Sequence, residues 1–273
     1  MNRIVILTGN APEHRYVANR LCRSVAIAGV VVDTAVRGRS LRRAFRGGVR
    51  PGLSRLALEA FRRTVHDGAR RRAALARVLG EELTAGFEAE DRVVPVRGVN
   101  SAEAVAAMSR LRPDLILVYG TSIVRDEMLS RAGDLVMNMH TGLSPDYRGT
   151  DCAFWPIVNG EPERIGATVH ECTDRVDGGQ IYAVATAGWV PDDGLHELFA
   201  RAVACGAELY VDAARRYCAG ALAGRPQDLA TGREYRGFMR TLGPELRARW
   251  ALRRGLLRRP PAQVPELSRA VSG

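Results

Sequence analysis

The sequence predicts an α/β protein: a mostly parallel sheet flanked by helices, with a helical C-terminal extension. Three observations carry this. Short apolar runs alternate with amphipathic ones through the first half, the pattern of βαβ units. Two of these runs, Leu115–Tyr119 and residues 135–139, are apolar but for Asn138, as strands covered on both faces are. From residue 195 the apolar positions take helical spacing, with Leu195, Leu198, Phe199, Ala202 and Val203 on one face.

The elements follow in order. Residues 3–7 read as a first strand, and the turn Thr8-Gly9-Asn10-Ala11-Pro12 leads into a helix over 13–28. Residues 30–35 and Val93–Val96 read as strands, and residues 101–111 as a helix capped by Asn100 or Ser101. A short helix separates the runs at 115–119 and 135–139. Residues 180–190 read as a further strand, after which Asp192 or Asp193 can cap the long helix. The segment GPELRARWALRRGLLRRPP is amphipathic and helical. The simplest organisation is one Rossmann-like domain over 1–190, with an insertion at about 37–90, followed by a helical extension over 191–273.

That insertion is unusual in charge. Between Arg37 and Leu79 stand 13 arginines against two acids, Glu59 and Asp67. Leu53, Leu56, Phe61, Val65 and Leu75 among them are spaced for amphipathic helices. One reading is a solvated helical face; the other is a surface drawing a phosphorylated substrate, nucleic acid or an anionic membrane.

Composition narrows the function classes. The chain has 273 residues, 46% hydrophobic and 26% charged, as in ordinary globular proteins. No apolar run approaches the roughly 18 residues of a membrane span, and the N-terminus reads as a strand rather than a signal peptide, so a cytoplasmic location is expected. Five cysteines without a CxxC pair predict reduced thiols, and their spacing from the histidines predicts no metal site. The net charge of +10 rests on 40 basic residues that are all arginine. With no lysine, a Schiff-base or lysine-nucleophile mechanism is excluded.

The chemistry-bearing segment is residues 138–181. Asn138 and His140 are alternate residues at the end of a strand, so they share a face, and ligands bind beyond the carboxyl ends of such strands. A turn-rich loop, Ser144-Pro145-Asp146-Tyr147-Arg148-Gly149, follows. Then come the turn Asn159-Gly160-Glu161, the strand Gly166-Ala167-Thr168-Val169-His170, and Asp177-Gly178-Gly179-Gln180-Ile181.

This ordered set resembles the folate-dependent formyltransferases, the family that includes methionyl-tRNA, glycinamide ribonucleotide and sugar N-formyltransferases. Pro145, Tyr147, Arg148 and Gly149 are similar to its "SLLPxYRG" loop, though Thr141-Gly142-Leu143 departs from the usual residues there. Pro113-Asp114 through Tyr119-Gly120 is similar to its "PDxxxxxxYG" strand. The resemblance implies Asn138, His140 and Asp177 as the catalytic trio. It implies 10-formyltetrahydrofolate as cosubstrate, met by Tyr119, Gly120, Thr121, Asp174 and Gly179. Acceptor contacts are expected from Tyr147, Arg148, Gly149, Asn10 and Arg15.

The chemistry agrees with that trio. Formyl transfer develops an oxyanion, for which Asn138 and His140 can supply N–H groups. The attacking ammonium must lose a proton, which Asp177 can accept directly or through a water. Asp174 is the second-ranked carboxylate. After Ala223 only 50 residues remain, with no series of short strands like the tRNA-gripping domain of methionyl-tRNA formyltransferases. The turn TGNAPEHRY also lacks the phosphate loop of the purine enzymes. The expected acceptor is therefore a small-molecule amine, such as an amino sugar, nucleotide-linked or otherwise anionic, rather than nucleic acid. Two alternatives are a 10-formyltetrahydrofolate hydrolase and a non-catalytic arginine-rich module that binds nucleic acid or membrane. The sequence leaves homo-oligomerisation open.

Overall fold

The computed structural model describes residues 2–35, 45, 48–80, 83 and 86–259. Nine strands are found among them: β1 Ile4–Gly9, β2 Ile27–Asp33, β3 Val93–Val96, β4 Leu115–Tyr119, β5 Leu135–His140, β6 Tyr147–Gly149, β7 Gly166–Glu171, β8 Ile181–Thr186 and β9 Arg233–Tyr235. Seven form one sheet in the order β3-β2-β1-β4-β5-β7-β8. The five strands from β3 to β5 run parallel, while β7 is antiparallel to β5 and β8 to β7. The fold is thus the mostly parallel, helix-flanked sheet that the sequence predicts.

Burial explains the strand composition. Every residue of β1 and β4 is buried, because helices cover both faces of the central strands. One face carries the helices Pro12–Cys22, Asp67–Leu79 and Leu195–Cys218, whose apolar residues share a core with Ile4, Ile6, Leu115, Leu117, Met137 and Met139. The other face packs Val5, Leu7, Ile116 and Val118 against Ala104, Ala107 and Met108 of the Ala102–Leu111 helix. The apolar core therefore runs on past residue 190 into the Leu195–Cys218 helix, whose buried Tyr210 hydroxyl lies 2.8 Å from the Met137 carbonyl and 3.1 Å from that of Val118.

Several local expectations need correction. The first helix ends at Cys22, not near 28: the Ser24 hydroxyl donates to the Arg20 carbonyl at 2.7 Å, and Ile27 already pairs with Ile4. Tertiary pairing overrides helical propensity there. Neither Asp192 nor Asp193 caps the long helix. Its N-cap is Gly194, whose N–H donates to Glu197 Oε2 at 3.0 Å, while Asp193 binds Arg201 at 2.6 Å. The extension is helical at Leu242–Arg253, but it also contributes β9, which pairs parallel with β6. Gly149 allows that pairing: at φ +94°, a Cβ there would lie 2.1 Å from the Tyr235 carbonyl oxygen.

Among the described residues of the insertion, Val49–Thr64 and Asp67–Leu79 are α-helices, as its spacing predicts. Its arginines at 37, 39, 42, 43 and 46, and the tail at 260–273, lie outside the described residues. No described helix is long and apolar enough to cross a membrane.

Candidate active site

The parallel register places the ends of β4 and β5 side by side, with Val118 opposite Asn138. The antiparallel register of β5 and β7 then sets Asn138 opposite His170 and His140 opposite Thr168. Asp177, in the β7–β8 connection, reaches back to both imidazoles. His140 Nδ1 lies 3.5 Å from Asp177 Oδ2, and His170 Nε2 lies 3.3 Å from Asp177 Oδ1. Asn138 Nδ2 is 3.1 Å from His170 Nε2. The three predicted catalytic side chains therefore meet, with His170 as a fourth member.

Hydrogen-bond chemistry fixes much of the proton arrangement. Glu171 O only accepts, so His170 Nδ1, 2.7 Å away, donates to it. The neutral ring then holds its lone pair on Nε2 and takes the Asn138 amide; a protonated ring donates from Nε2 to Asp177 instead. His140 Nε2 similarly donates to the Tyr147 carbonyl at 3.0 Å. Its Nδ1 can donate to Asp177 only when the ring is an imidazolium.

Asp177 is held in an uncommon backbone conformation, φ +48°, which aims its carboxylate inward. Its Oδ2 accepts the Gly149 N–H at 2.7 Å, and Gln227 Nε2 donates to its carbonyl at 2.8 Å. Burial alone would raise this carboxyl; His140, His170 and the Gly149 N–H overcome burial and hold it well below the ordinary range. A depressed folded value means its stabilising contribution is complete above the unfolded value of about 4 and is lost as pH falls through the folded one. Asp177→Asn should accordingly flatten the decline of stability with acidification below about pH 4. Urea titrations across that range check this; an unchanged slope would contradict it.

The cluster opens onto a cavity of about 980 Å³. One side is the exit of β4, from Tyr119, Gly120 and Thr121 to Val124; another is the 172–177 loop with Asp174. Gly120, at φ +71°, lets His14 pass beneath the turn, where a Cβ would lie 2.2 Å from its Nε2. Arg55 from the insertion and residues 234–238 complete the wall together with Gly149 and Thr150. Burial pushes the Cys172 thiol up to about 12, so it faces this cavity protonated. Among the described residues no group of three or more His, Cys, Asp or Glu is set to hold a metal ion.

The other expected contacts are placed differently. Tyr147 and Arg148 do not line the cavity. The Tyr147 ring stacks on Tyr235 at 5.7 Å and its hydroxyl bonds Glu161, while an Arg148 N–H donates to the Leu229 carbonyl at 3.2 Å. Gly179 lies behind Asp177, sharing the Gln227 amide. Asn10 and Arg15 bond to each other, 2.9 Å from guanidinium to backbone carbonyl, away from both cavities. Gln227, Arg55 and residues 234–238 were not singled out by sequence, and His170, read there as the end of the 166–170 strand, was given no catalytic role. The signal for His170 was its place in that strand, inside the segment that bears the chemistry.

A second cavity of about 270 Å³ shares Thr141 with the first. Arg62, Asp67 and Arg71 from the insertion line it, with Asp151, His196 and Arg240. These charges are paired. Glu245, fully buried, meets Arg62 and Arg240 at 3.0 Å and Arg249 at 2.8 Å; Arg71 meets Glu13, and Arg240 also meets Asp151 at 2.8 Å. Asp67 meets Arg249 at 2.6 Å and His196 at 3.0 Å.

A polar centre at the carboxyl edge of a parallel sheet, opening on a deep cavity, defines an α/β protein with a ligand site at its strand ends. The sequence matches the formyl transferase family model over residues 74–214, just over half its length, and the chain belongs to that family. It is 33% identical over 133 residues to a methionyl-tRNA formyltransferase of Chlorobium chlorochromatii (strain CaD3), covering 49% of this chain and 42% of that protein. The chain thus spans less than half the length of that relative. Among solved structures, a sugar N-formyltransferase from Shewanella sp FDAARGOS_354 superposes with a TM-score of 0.54 at 15% identity, covering 86% of this chain and 77% of that one. Glycinamide ribonucleotide transformylase 1 from Symbiobacterium toebii gives 0.54 at 22% identity, covering 84% and 95%. At these identities the structures show a shared fold.

Proposed function

We propose that this chain moves a formyl group from 10-formyltetrahydrofolate to the amine of a small molecule, an amino sugar being the acceptor class favoured. The observation that carries this is the convergence of Asn138, His140 and Asp177 on one wall of the large cavity. The pterin of the donor would lie between the Tyr119–Thr121 turn and the 172–176 loop, with Asp174 on that side. Asn138 Nδ2 would turn from His170 toward the developing oxyanion. His140, between Asp177 and the Tyr147 carbonyl, would hold the carboxylate in place and exchange protons with it. Asp177 would take the proton from the attacking amine, and a proton would pass from His140 or through a water to the folate nitrogen as its bond to the formyl carbon breaks.

The insertion arginines bear on the non-catalytic reading. Arg62, Arg71 and Arg77 are bound to Glu245, Glu13 and Glu197 within the fold, which favours a structural over a nucleic-acid-binding use. The test is incubation with 10-formyltetrahydrofolate and candidate amines, with mass spectrometry of the products. An N-formylated amine supports the proposal; formate released at the same rate without any amine would favour a hydrolase. Asn138→Ala should lower kcat by about 10²–10³-fold with little change in KM. A rise in KM at unchanged kcat would mean that Asn138 only positions the ligand.

A further inference from the structure

Four of the residues that line the smaller cavity lie outside the 74–214 span of the family match, Arg62, Asp67 and Arg71 from the insertion and Arg240 from the extension; the other seven lie within it. Its wall includes Thr141, the residue after His140, which it shares with the large cavity. No residue of the 119–124 or 172–176 segments lines the smaller cavity.

The charges of that wall are already matched. Every guanidinium lining it has a carboxylate partner, and both lining carboxylates, Asp67 and Asp151, have cationic ones. A phosphate placed among them would have to break ion pairs and would meet Asp67 and Asp151 unscreened. Hydroxyl groups, which donate and accept, can bond both the carboxylate oxygens and the remaining guanidinium N–H groups without changing the net charge. Phe154 and Phe199 add apolar surface, each with a guanidinium over one ring face, Arg240 at 3.9 Å and Arg71 at 4.7 Å. Resting on the formyl transfer proposed above, we infer that this cavity holds the body of the acceptor. That body is an uncharged, polyhydroxylated ring bearing the amine, and any phosphate of its carrier lies outside the cavity.

The test uses the whole chain, with methyl glycosides of amino-deoxyhexoses as probes and folinic acid as a control for the donor side, both followed by calorimetry. Leu195→Trp fills the cavity from the start of the long helix, and Asp151→Asn removes one lining carboxylate at constant size. Both variants should weaken glycoside binding by about tenfold or more while folinic acid affinity holds, which also reports an intact fold. If glycosides bind the wild type and both variants equally, the inference is overturned and the formyltransferase proposal stands. Failure of the glycosides to bind, while a sugar phosphate binds in a way that Leu195→Trp blocks, also overturns it. Failure of folinic acid to bind the wild type would instead remove the proposal beneath it.

Discussion

Asp177→Asn should lower formyl transfer by about 10²–10⁴-fold, the usual contribution of a positioned proton acceptor, while folinic acid still binds. The amide keeps the size of the carboxylate, and its oxygen can still accept the Gly149 N–H that now lies 2.7 Å from Oδ2. It cannot take a proton from an amine, and it presents no charge to the two imidazoles at 3.5 and 3.3 Å. The loss should therefore fall on kcat. Steady-state kinetics beside folinic acid titration checks this; turnover equal to wild type would remove Asp177 from the mechanism.

The largest effect on stability is expected from Glu245→Gln, at about 3–5 kcal/mol, the cost of removing one partner from a buried ion network. Glu245 is fully buried in the Leu242–Arg253 helix and gathers guanidiniums from three places: Arg62 of the insertion, Arg240 before the helix, and Arg249 one turn on. Burial disfavours its charge, but those arginines prevail and lower its pKa. A glutamine would leave them facing one another with little water. Because Arg62 belongs to the Val49–Thr64 helix, the contact between insertion and extension should loosen as well. Urea unfolding measures the loss. A change below about 1 kcal/mol, the worth of an exposed pair, would show that the network is solvated.

Where local pattern decided structure, the sequence was legible. Leu115–Tyr119 reads directly as a strand because buried parallel strands are apolar on both faces, Val93–Val96 reads as one although it lies at the sheet edge with only Val96 buried, and Ser101 caps its helix as the serine-before-helix pattern implies. The end of the first helix was not legible, since Val25 and Ile27 continue an apolar pattern and only pairing with Ile4 makes the strand. At the site, alternation within β5 placed Asn138 and His140 on one face. His170 was read as part of a strand but not as a member of the site, because its approach depends on β7 turning antiparallel, which its own residues do not announce. Tyr147 and Arg148 form a conspicuous motif, yet the chain uses their side chains to pack and brace the loop. Arg55 and residues 234–238 reach the cavity only through contacts between segments far apart in sequence.

A crystal structure with folinic acid bound would test the convergence of these groups on one reacting carbon. The pterin should lie between Thr121 and the 172–176 loop, with the formyl-bearing end of the ligand within hydrogen-bond reach of the Asn138 amide and the Asp177 carboxylate. Folinic acid seated elsewhere, or bound in this cavity with Asn138, His140 and Asp177 turned away from its formyl end, would contradict the account.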